Sequence, residues 1–226
     1  MDSDAFAATA EALLNILAHA LLAEQAGCSL IGNLLGDFVR GAPPQHYPPA
    51  WQAGIRLHRR IDAFVDRHRA FHSSLQRLPA PQRRWGRVAL DVYYDHVLAR
   101  RWSDVSAMPL EQFAAGVYAA LARHHQALPP RLQRFATFMA DQDLLTGYRQ
   151  PSVIEDVLAR MAARARQPNT LAQAFTHLRA VDAGIADDLT HLLPDTLAFA
   201  RRETGRGEPR PQVPGTPHAR GSTAAS

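Results

Sequence analysis

The chain has 226 residues, of which 46% are hydrophobic and 20% charged, with 13 glycines, 16 prolines and a single cysteine. This composition excludes collagen-like, disulfide-stapled and wholly disordered proteins, and the length allows one or two domains with a sizeable core. Cys28 cannot form an internal disulfide, no apolar run reaches the roughly 18 residues of a membrane span, and the acidic N-terminus lacks the basic flank of a signal peptide. We therefore expect a soluble, cytoplasmic protein.

Basic charge is concentrated in the centre of the chain. All 25 basic residues are arginines, and residues 40–101 hold 12 of them against four acidic residues, a net charge of +8. Residues 1–39, by contrast, carry a net charge of −5. A concentrated basic stretch favours an anionic partner, which could be a phosphate ester, a nucleic acid or an acidic protein.

Helical periodicity dominates the sequence. There is no long alternation of apolar and polar residues and no Asn-Gly or Asp-Gly hairpin turn, so strand signals are nearly absent. Prolines and glycines separate the helical stretches. We predict helices over residues 6–25, 29–40, 49–70, 80–102, 109–127, 130–147, 151–165 and 170–200, the last of which is left open to a break.

The predicted organisation is a single all-helical domain over residues 14–200, a helical bundle. Residues 1–13 form an N-terminal extension, unless translation begins near Leu14. From Arg201 the apolar pattern gives way to Gly, Pro, Arg, Ser and Thr, which predicts a disordered tail over residues 201–226.

In the first two predicted helices, polar residues lie among apolar ones. His19 ends the segment NILAH at residues 15–19, and Asp37 lies among apolar neighbours in the second helix. Burying an acid or a histidine costs free energy unless the group is paired or binds a metal. Such residues are therefore the informative ones.

The third helix carries His58 and Asp62 within its apolar stripe. Residues four apart lie about 40° apart on a helix, so the two side chains share one face. Arg56 and Arg60 point to the opposite side, towards solvent, and Arg59 lies at the border next to the carboxylate.

The fourth helix repeats the arrangement with Asp91 and Asp95, which are again four residues apart on a packing face. Like charges at this spacing repel, and burial makes the repulsion worse unless a cation or a shared proton intervenes. His96 lies roughly 100° from Asp95, at the edge of the same face.

Four helices thus each offer an inward-facing carboxylate, an imidazole or both. Mixed oxygen and nitrogen ligands from facing helices suit Mn, Mg or Fe better than a thiolate zinc site. Each element alone also fits an ordinary structural role. These roles are an i,i+4 salt bridge for His58/Asp62, pairing with arginine for Asp91/Asp95, a cap or arginine partner for Asp37 and a hydrogen-bonded core histidine for His19.

Blocks of sequence at a recognisable order and spacing add a further indication. They are NILAH at residues 15–19, LIGNLLGDFVRG at 30–41, GIRLHRRID at 54–62 and DVYYDH at 91–96, the last extended by LARRW at 98–102. These blocks resemble the bacterial acyl carrier protein phosphodiesterases, and the second and third together are the specific part. The resemblance runs from about residue 15 to about residue 200. It departs from the family pattern at Ile16, where an aromatic is usual, and at Leu21, where a second histidine is frequent, and it is loose around Leu144-Leu145.

The resemblance implies a divergent relative of the His-Asp (HD) metal-dependent phosphohydrolases, all-helical and using manganese. It implies that holo-acyl carrier protein is hydrolysed to apo-acyl carrier protein and 4′-phosphopantetheine, within fatty acid biosynthesis and lipid metabolism. The implied partner is the acidic carrier protein, with no membrane and no nucleic acid.

The residues and the resemblance together assign the site. A water activated by one or two divalent ions attacks phosphorus, and Asp91 or His96 orients that water or protonates the leaving serine oxygen. Arg59, with Arg40, offsets charge on the phosphate oxygens. The predicted metal ligands are His19, Asp37, His58, Asp62 and Asp95. The predicted docking groups for phosphate or carrier are Arg40, Arg56, Arg60 and Arg67.

Two alternatives stay open from the sequence. One is an HD-type phosphohydrolase of nucleotides or small phosphodiesters with the same metal site. The other, more distant, is a helical DNA-binding regulator. Against the regulator, four acids interrupt the basic stretch and no helix-turn-helix sequence stands out.

Overall fold

The computed structural model describes residues 15–165 and 167–206, which contain eleven α-helices and no β-strand. The helices are Ile16–Gln25 (α1), Leu30–Leu34 (α2), Pro49–Val65 (α3), Arg69–Arg77 (α4), Arg83–Arg100 (α5), Leu110–Arg123 (α6), Pro130–Asp141 (α7), Leu144–Gly147 (α8), Pro151–Arg164 (α9), Leu171–Ala180 (α10) and Asp182–Glu203 (α11). The predicted all-α class is confirmed. Of the helices described, none has the length and apolarity needed to cross a membrane.

Helix α5 lies at the centre of the bundle. Between Ala89 and Ala99 every residue except Asp91 is buried, so the helix is enclosed on nearly all sides. Helices α1, α4, α9, α10 and α11 pack against it. The polar residues that α5 carries in this stretch are therefore held inside the core.

Helices α2 and α3 meet at two glycines. A Cβ atom on Gly54 would lie 2.6 Å from the backbone carbonyl carbon of Gly32, and one on Gly32 would lie 2.6 Å from the backbone oxygen of Trp51. Contacts this short exclude any side chain at either position. The two backbones thus approach more closely than other residues would allow, which brings α2 directly against the first half of α3.

The predicted third helix is too long. Helix α3 ends at Val65, because the chain turns at residues 66–68 and His68 adopts an extended conformation. The His68 imidazole then caps the next helix by accepting a hydrogen bond from the Ala70 backbone N–H, at 3.2 Å. Helix α4 was therefore missed, because its start depends on a side-chain cap that periodicity does not reveal.

Other helix ends also differ from the prediction. The predicted helix over 130–147 is divided at Asp143, which has a positive φ of 43°, and the break left open in 170–200 falls at Val181. Prolines occupy the first position of α3, α7 and α9. Proline suits this position because the first backbone N–H of a helix has no acceptor within the helix.

The predicted boundary at residue 200 is too early. Helix α11 continues to Glu203, and Thr204 donates a hydrogen bond from Oγ1 to the Ala26 carbonyl at 2.9 Å. These contacts with the end of α1 order residues 201–206, which lack an apolar pattern of their own. Residues 1–14, 166 and 207–226 lie outside the described residues, so the N-terminal extension and the tail beyond 206 stay predictions.

We predict that Gly54→Ala lowers the free energy of unfolding by about 1–3 kcal/mol, because the added methyl group meets backbone atoms that cannot give way. Urea unfolding followed by circular dichroism measures the change. Gly116→Ala is the matched control: it also lies within a helix, but nothing lies within 4 Å of its added Cβ. This control should gain about 0.5–1 kcal/mol. Equal effects of the two substitutions would contradict the close packing.

Candidate metal centre

Two histidines from different helices stack in the interior. His19 is in the first turn of α1 and His58 is in the second half of α3, and their ring centroids lie 3.9 Å apart with 28° between the planes. Asp62, one turn after His58, and Asp37, in the 3-10 turn that follows α2, face the two rings. The predicted i,i+4 pair on α3 thus lies opposite the predicted residues from α1 and from the second helix.

The Asp62 carboxylate bridges the two histidines. Its Oδ1 lies 3.1 Å from His19 Nε2, and its Oδ2 lies 3.2 Å from His58 Nε2. Asp37 Oδ1 lies 3.1 Å from the same His58 nitrogen. Ligand atoms of His19, His58 and Asp62 all lie within 4.8 Å of one another, a grouping that can hold a metal ion.

The cluster is closed on the histidine side and open on the carboxylate side. The side chains of His19 and His58 are 1% and 3% exposed, whereas that of Asp62 is 46% exposed. Burial alone would lower the pKa of His58, but the carboxylates of Asp37 and Asp62 outweigh it and raise that pKa to about 10. Burial opposes ionisation of Asp62 as well, yet the close contacts of its oxygens with the imidazole nitrogens of His19 and His58 bring its pKa well below the usual range. Both shifts have the same cause, which is the attraction between the imidazole of His58 and the carboxylates beside it.

The arrangement of hydrogen bonds fits a cation between these groups. His19 Nδ1 donates to the Asn33 Oδ1 atom at 2.9 Å, so in the neutral ring Nε2 carries the lone pair. A lone pair 3.1 Å from a carboxylate oxygen is repelled unless a proton or a metal ion lies between them. Two ligands at right angles, each about 2.1 Å from an ion, lie about 3.0 Å apart, close to the N···O distances found here. The mixed nitrogen and oxygen set therefore fits a divalent ion.

Asp91 extends the carboxylate group from α5. It is the one residue between Ala89 and Ala99 that is not fully buried. Burial, followed by the negative charges of Asp62 and Asp37, raises the pKa of its carboxyl well above the usual range. The charges of Asp62 and Asp37 therefore act on Asp91, whose predicted role in proton transfer stays a prediction.

Asp95 has different surroundings, although it lies only one turn further along α5. It is completely buried, and its two oxygens accept hydrogen bonds from the backbone N–H groups of Leu17 and Ala18, at 2.8 and 2.9 Å. Burial raises its pKa to about 7, and these two hydrogen bonds oppose the rise. The structure does not place Asp95 in the group formed by His19, His58 and Asp62, so its predicted role as a ligand stays a prediction that the geometry does not favour.

His96 is directed into the core. Its Nδ1 donates to the Tyr148 carbonyl at 2.6 Å, and its side chain is buried. Burial lowers its pKa, and the charged groups that modify it are Arg100 and Asp182 rather than the carboxylates of the cluster. The predicted role of His96 in proton transfer stays a prediction that this geometry does not favour.

Arg59 braces the loop that follows Asp37. Its two terminal nitrogens donate to the carbonyl oxygens of Val39 and Gly41. Because a guanidinium has five N–H groups, this engagement leaves three for another acceptor. Arg40 therefore belongs to the segment that carries Asp37, whereas Arg59 reaches that segment from α3. The predicted contact of both arginines with phosphate stays a prediction.

Three of the predicted docking arginines, Arg56 and Arg60 on α3 and Arg67 in the turn that follows it, are not equivalent. Arg60 forms an ion pair with Glu203 at the end of α11, so its charge is partly used within the protein. Arg56 and Arg67 are exposed, and in the part of the chain that the structure describes neither forms an ion pair. Arg56 lines a groove of about 510 Å³ between α3 and the end of α11, and Arg67 lines another of about 500 Å³.

Two residues of the site were missed at the sequence level. Asn33 is fully buried and orients His19, and Gly36 packs against His58 so closely that a Cβ atom would lie 2.2 Å from its ring. For Asn33 the sequence held one signal: a polar amide among apolar residues of a short helix, which indicates a buried hydrogen-bonding group. No pattern indicated Gly36, because its role follows from the approach of α3.

The chain is similar to proteins of known family. A sequence model of the family described as acyl carrier protein phosphodiesterase matches residues 14–196. A protein of Salmonella dublin named acyl carrier protein phosphodiesterase is 36% identical over 191 residues, and proteins of the same name from Salmonella agona strain SL483 and Salmonella newport strain SL254 are each 35% identical over 191 residues. Each match covers 84% of this chain and 99% of the relative. No solved structure matches the chain.

We predict that Mn²⁺ stabilises the folded chain. At free Mn²⁺ about 100 times its Kd, a ligand that binds only the folded state adds about 2.7 kcal/mol, which raises the Tm of a domain of this size by about 5–10 °C. Differential scanning calorimetry with and without a chelator measures this rise. His58→Ala should abolish it, whereas His191→Ala, at an exposed position on α11, should leave it unchanged. A rise retained in His58→Ala would place the ion elsewhere.

We also predict that Asn33→Ala weakens Mn²⁺ binding about 10- to 100-fold, because an oriented histidine loses the group that fixes its ring and tautomer. Isothermal titration calorimetry measures the affinity. Ser29→Ala is the matched control: it removes the N-cap of the same helix, where the Ser29 hydroxyl accepts from the Gly32 N–H at 3.1 Å, and leaves His19 untouched. Equal losses of affinity in the two variants would reduce the role of Asn33 to helix stability.

Proposed function

The chain belongs to the acyl carrier protein phosphodiesterase family, and from this premise we propose that it hydrolyses holo-acyl carrier protein to apo-acyl carrier protein and 4′-phosphopantetheine. The observation that carries the proposal is the cluster of two stacked histidines bridged by Asp62. It lies within the matched region and has one solvent-exposed carboxylate, which is where a protein-bound phosphodiester could approach.

The donor set fits a divalent ion held by His19, His58 and Asp62, with Asp37 beside His58. Such an ion supplies Lewis-acid stabilisation of phosphoryl oxygens and lowers the pKa of a nearby water. Oxygen and nitrogen ligands without thiolate suit Mn, Mg or Fe, and we take Mn as the ion, as the resemblance implies. We propose in addition that the chain is a divergent relative of the HD-type metal-dependent phosphohydrolases.

The protein's own residues then orient and protonate the reacting groups. The Asp62 carboxylate contacts Nε2 of both imidazoles and so fixes the position of one ring relative to the other. Asn33 accepts the hydrogen bond of His19 Nδ1 and so keeps the proton of His19 on that nitrogen. Asp91, whose pKa is raised by burial and then by the neighbouring carboxylates, is the group that we propose gives a proton to the departing serine oxygen. Arg59 supports the loop after Asp37 and has N–H groups left for a non-bridging phosphate oxygen.

The carrier protein is the partner in this proposal, and no membrane or nucleic acid takes part. We propose Arg56 and Arg67 as docking groups, because both are exposed and form no ion pair among the described residues. Arg60 is exposed too, but its charge is shared with Glu203. The charges of the docking groups would steer the encounter with an acidic protein rather than take part in chemistry. We place the reaction in the cytoplasm, within lipid metabolism.

The runner-up is a phosphohydrolase of nucleotides or small phosphodiesters, which would use the same cluster. The DNA-binding alternative has less support, because many central arginines are engaged within the fold. Arg77 pairs with Asp188, Arg100 with Asp182, and Arg83 with backbone carbonyls.

Intact-mass spectrometry of holo-acyl carrier protein tests the proposal. We expect conversion to the apo mass with Mn²⁺ and none with a chelator. The double variant His58→Ala/Asp62→Ala should be slower by at least about a thousandfold, because it loses two of the groups that hold the ion. His191→Ala is the control for the purification and should convert the carrier at the rate of the unmodified chain.

A carrier that stays in the holo form, with Mn²⁺ present and the protein folded, would reject the carrier as substrate. Hydrolysis of nucleotides or of bis-(4-nitrophenyl) phosphate by the same preparation would then support the runner-up.

A further inference from the structure

Helix α1 begins without a cap of its own. Asn15 precedes it in the left-handed conformation, with φ 47° and ψ 46°, and its side chain makes no capping hydrogen bond. The first N–H groups of any helix lack partners within the helix, and burying them unpaired costs free energy. The first turn of α1 is buried against the core, so it needs an acceptor from elsewhere.

Asp95 supplies that acceptor from α5. Its oxygens accept from the N–H groups of Leu17 and Ala18, the second and third residues of the helix. These are the groups that the side chain of a residue at the start of a helix normally satisfies. Here the cap comes from 77 positions further along the chain and is itself fully buried. It therefore fixes both the end of α1 and its position along α5.

His19 follows directly after the capped residues. Its backbone N–H donates to the Asn15 carbonyl at 2.9 Å, so it belongs to the turn that Asp95 holds. A shift or fraying of that turn would displace the His19 ring from Asp62, which is 3.1 Å away. The position of one candidate ligand thus depends on a carboxylate that does not touch it.

The same geometry separates Asp95 from the ion. Both of its oxygens face backbone N–H groups, and it is not in the group of ligand atoms within 4.8 Å formed by His19, His58 and Asp62. Asp91, one turn earlier on α5, is the less deeply buried of the two acidic residues of this helix.

We propose that Asp95 is a positioning residue rather than a metal ligand: it caps α1 across the core and so places His19 for the metal ion. The inference rests on the metal centre of the proposed function but not on the identity of the substrate.

The test compares three substitutions in the full chain: Asp95→Asn, Asp91→Asn and Asp188→Asn. Asp188 is the matched control, because it is also a buried aspartate, bonded to Ser74 at 2.8 Å and to Arg77 at 2.9 Å, but outside the cluster. Hydrogen–deuterium exchange of the metal-free protein reports on the amides of α1. Electron paramagnetic resonance of free Mn²⁺ then gives the number of bound ions and the Kd. Asp95→Ser provides a second variant if Asp95→Asn does not fold.

For Asp95→Asn we expect the amides of α1 to exchange about tenfold faster, in line with the loss of a helix cap. We expect the number of bound Mn²⁺ ions to be unchanged and the Kd to be about 10- to 100-fold weaker. Asp188→Asn should lower the Tm without changing α1 exchange or the Kd. Asp91→Asn should leave α1 exchange unchanged.

Three results would overturn the inference. Loss of all Mn²⁺ binding in Asp95→Asn with unchanged α1 exchange would make Asp95 a ligand. Faster α1 exchange with an unchanged Kd would make it a cap without influence on the ion. Failure of the unmodified chain to bind Mn²⁺ would reject both the centre and the inference. Binding of Mn²⁺ without hydrolysis of the carrier would reject only the proposed function.

Discussion

The contact between the backbones of α2 and α3 at Gly32 and Gly54 is the constraint on which the site depends. Helix α2 has only five residues and could not hold a fixed orientation by itself. Because no side chain separates it from α3, its direction is set by the longer helix. Asn33 then points at His19, and the turn after α2 delivers Asp37 to His58. A spacing larger by one methyl group at this crossing would move two of the residues that contact the histidines.

The fold class and most of the cluster could be predicted from sequence, because both depend on local spacing. Apolar periodicity is a property of consecutive residues, and the i,i+4 rule places His58 and Asp62 on one face without knowledge of the fold. Asp91 and Asp95 show where this reasoning ends. The i,i+4 rule places both on the same side of α5. It does not say which neighbouring helix packs against each position, and that helix decides whether the carboxylate lies near other carboxylates or near backbone N–H groups. Asn33 and Gly36 were missed for the same reason, since their roles exist only once α1 and α3 are in place.

Many arginines in the basic central part of the chain form contacts within the protein. The sequence shows a net charge of +8 over residues 40–101, yet much of it is used to join helices. Arg87 pairs with Asp66, and Arg59 holds two carbonyls of one loop. A count of charges along the chain measures composition, whereas an anionic partner meets only the cations that remain on the surface. Along and directly after α3, the exposed arginines that form no ion pair among the described residues are Arg56 and Arg67.

Both ends of α1 are held by residues that are synthesised much later. Its first turn is capped by Asp95, and its last carbonyls accept hydrogen bonds from Arg201 and Thr204. During translation His19 on α1 and His58 on α3 therefore leave the ribosome long before the segments that hold α1 in place. Contacts between residues so distant in sequence form slowly, since a long loop must close first. A nascent or truncated chain would thus carry these histidines without the contacts that bring them together, and the cluster would be assembled only when the last helix is complete.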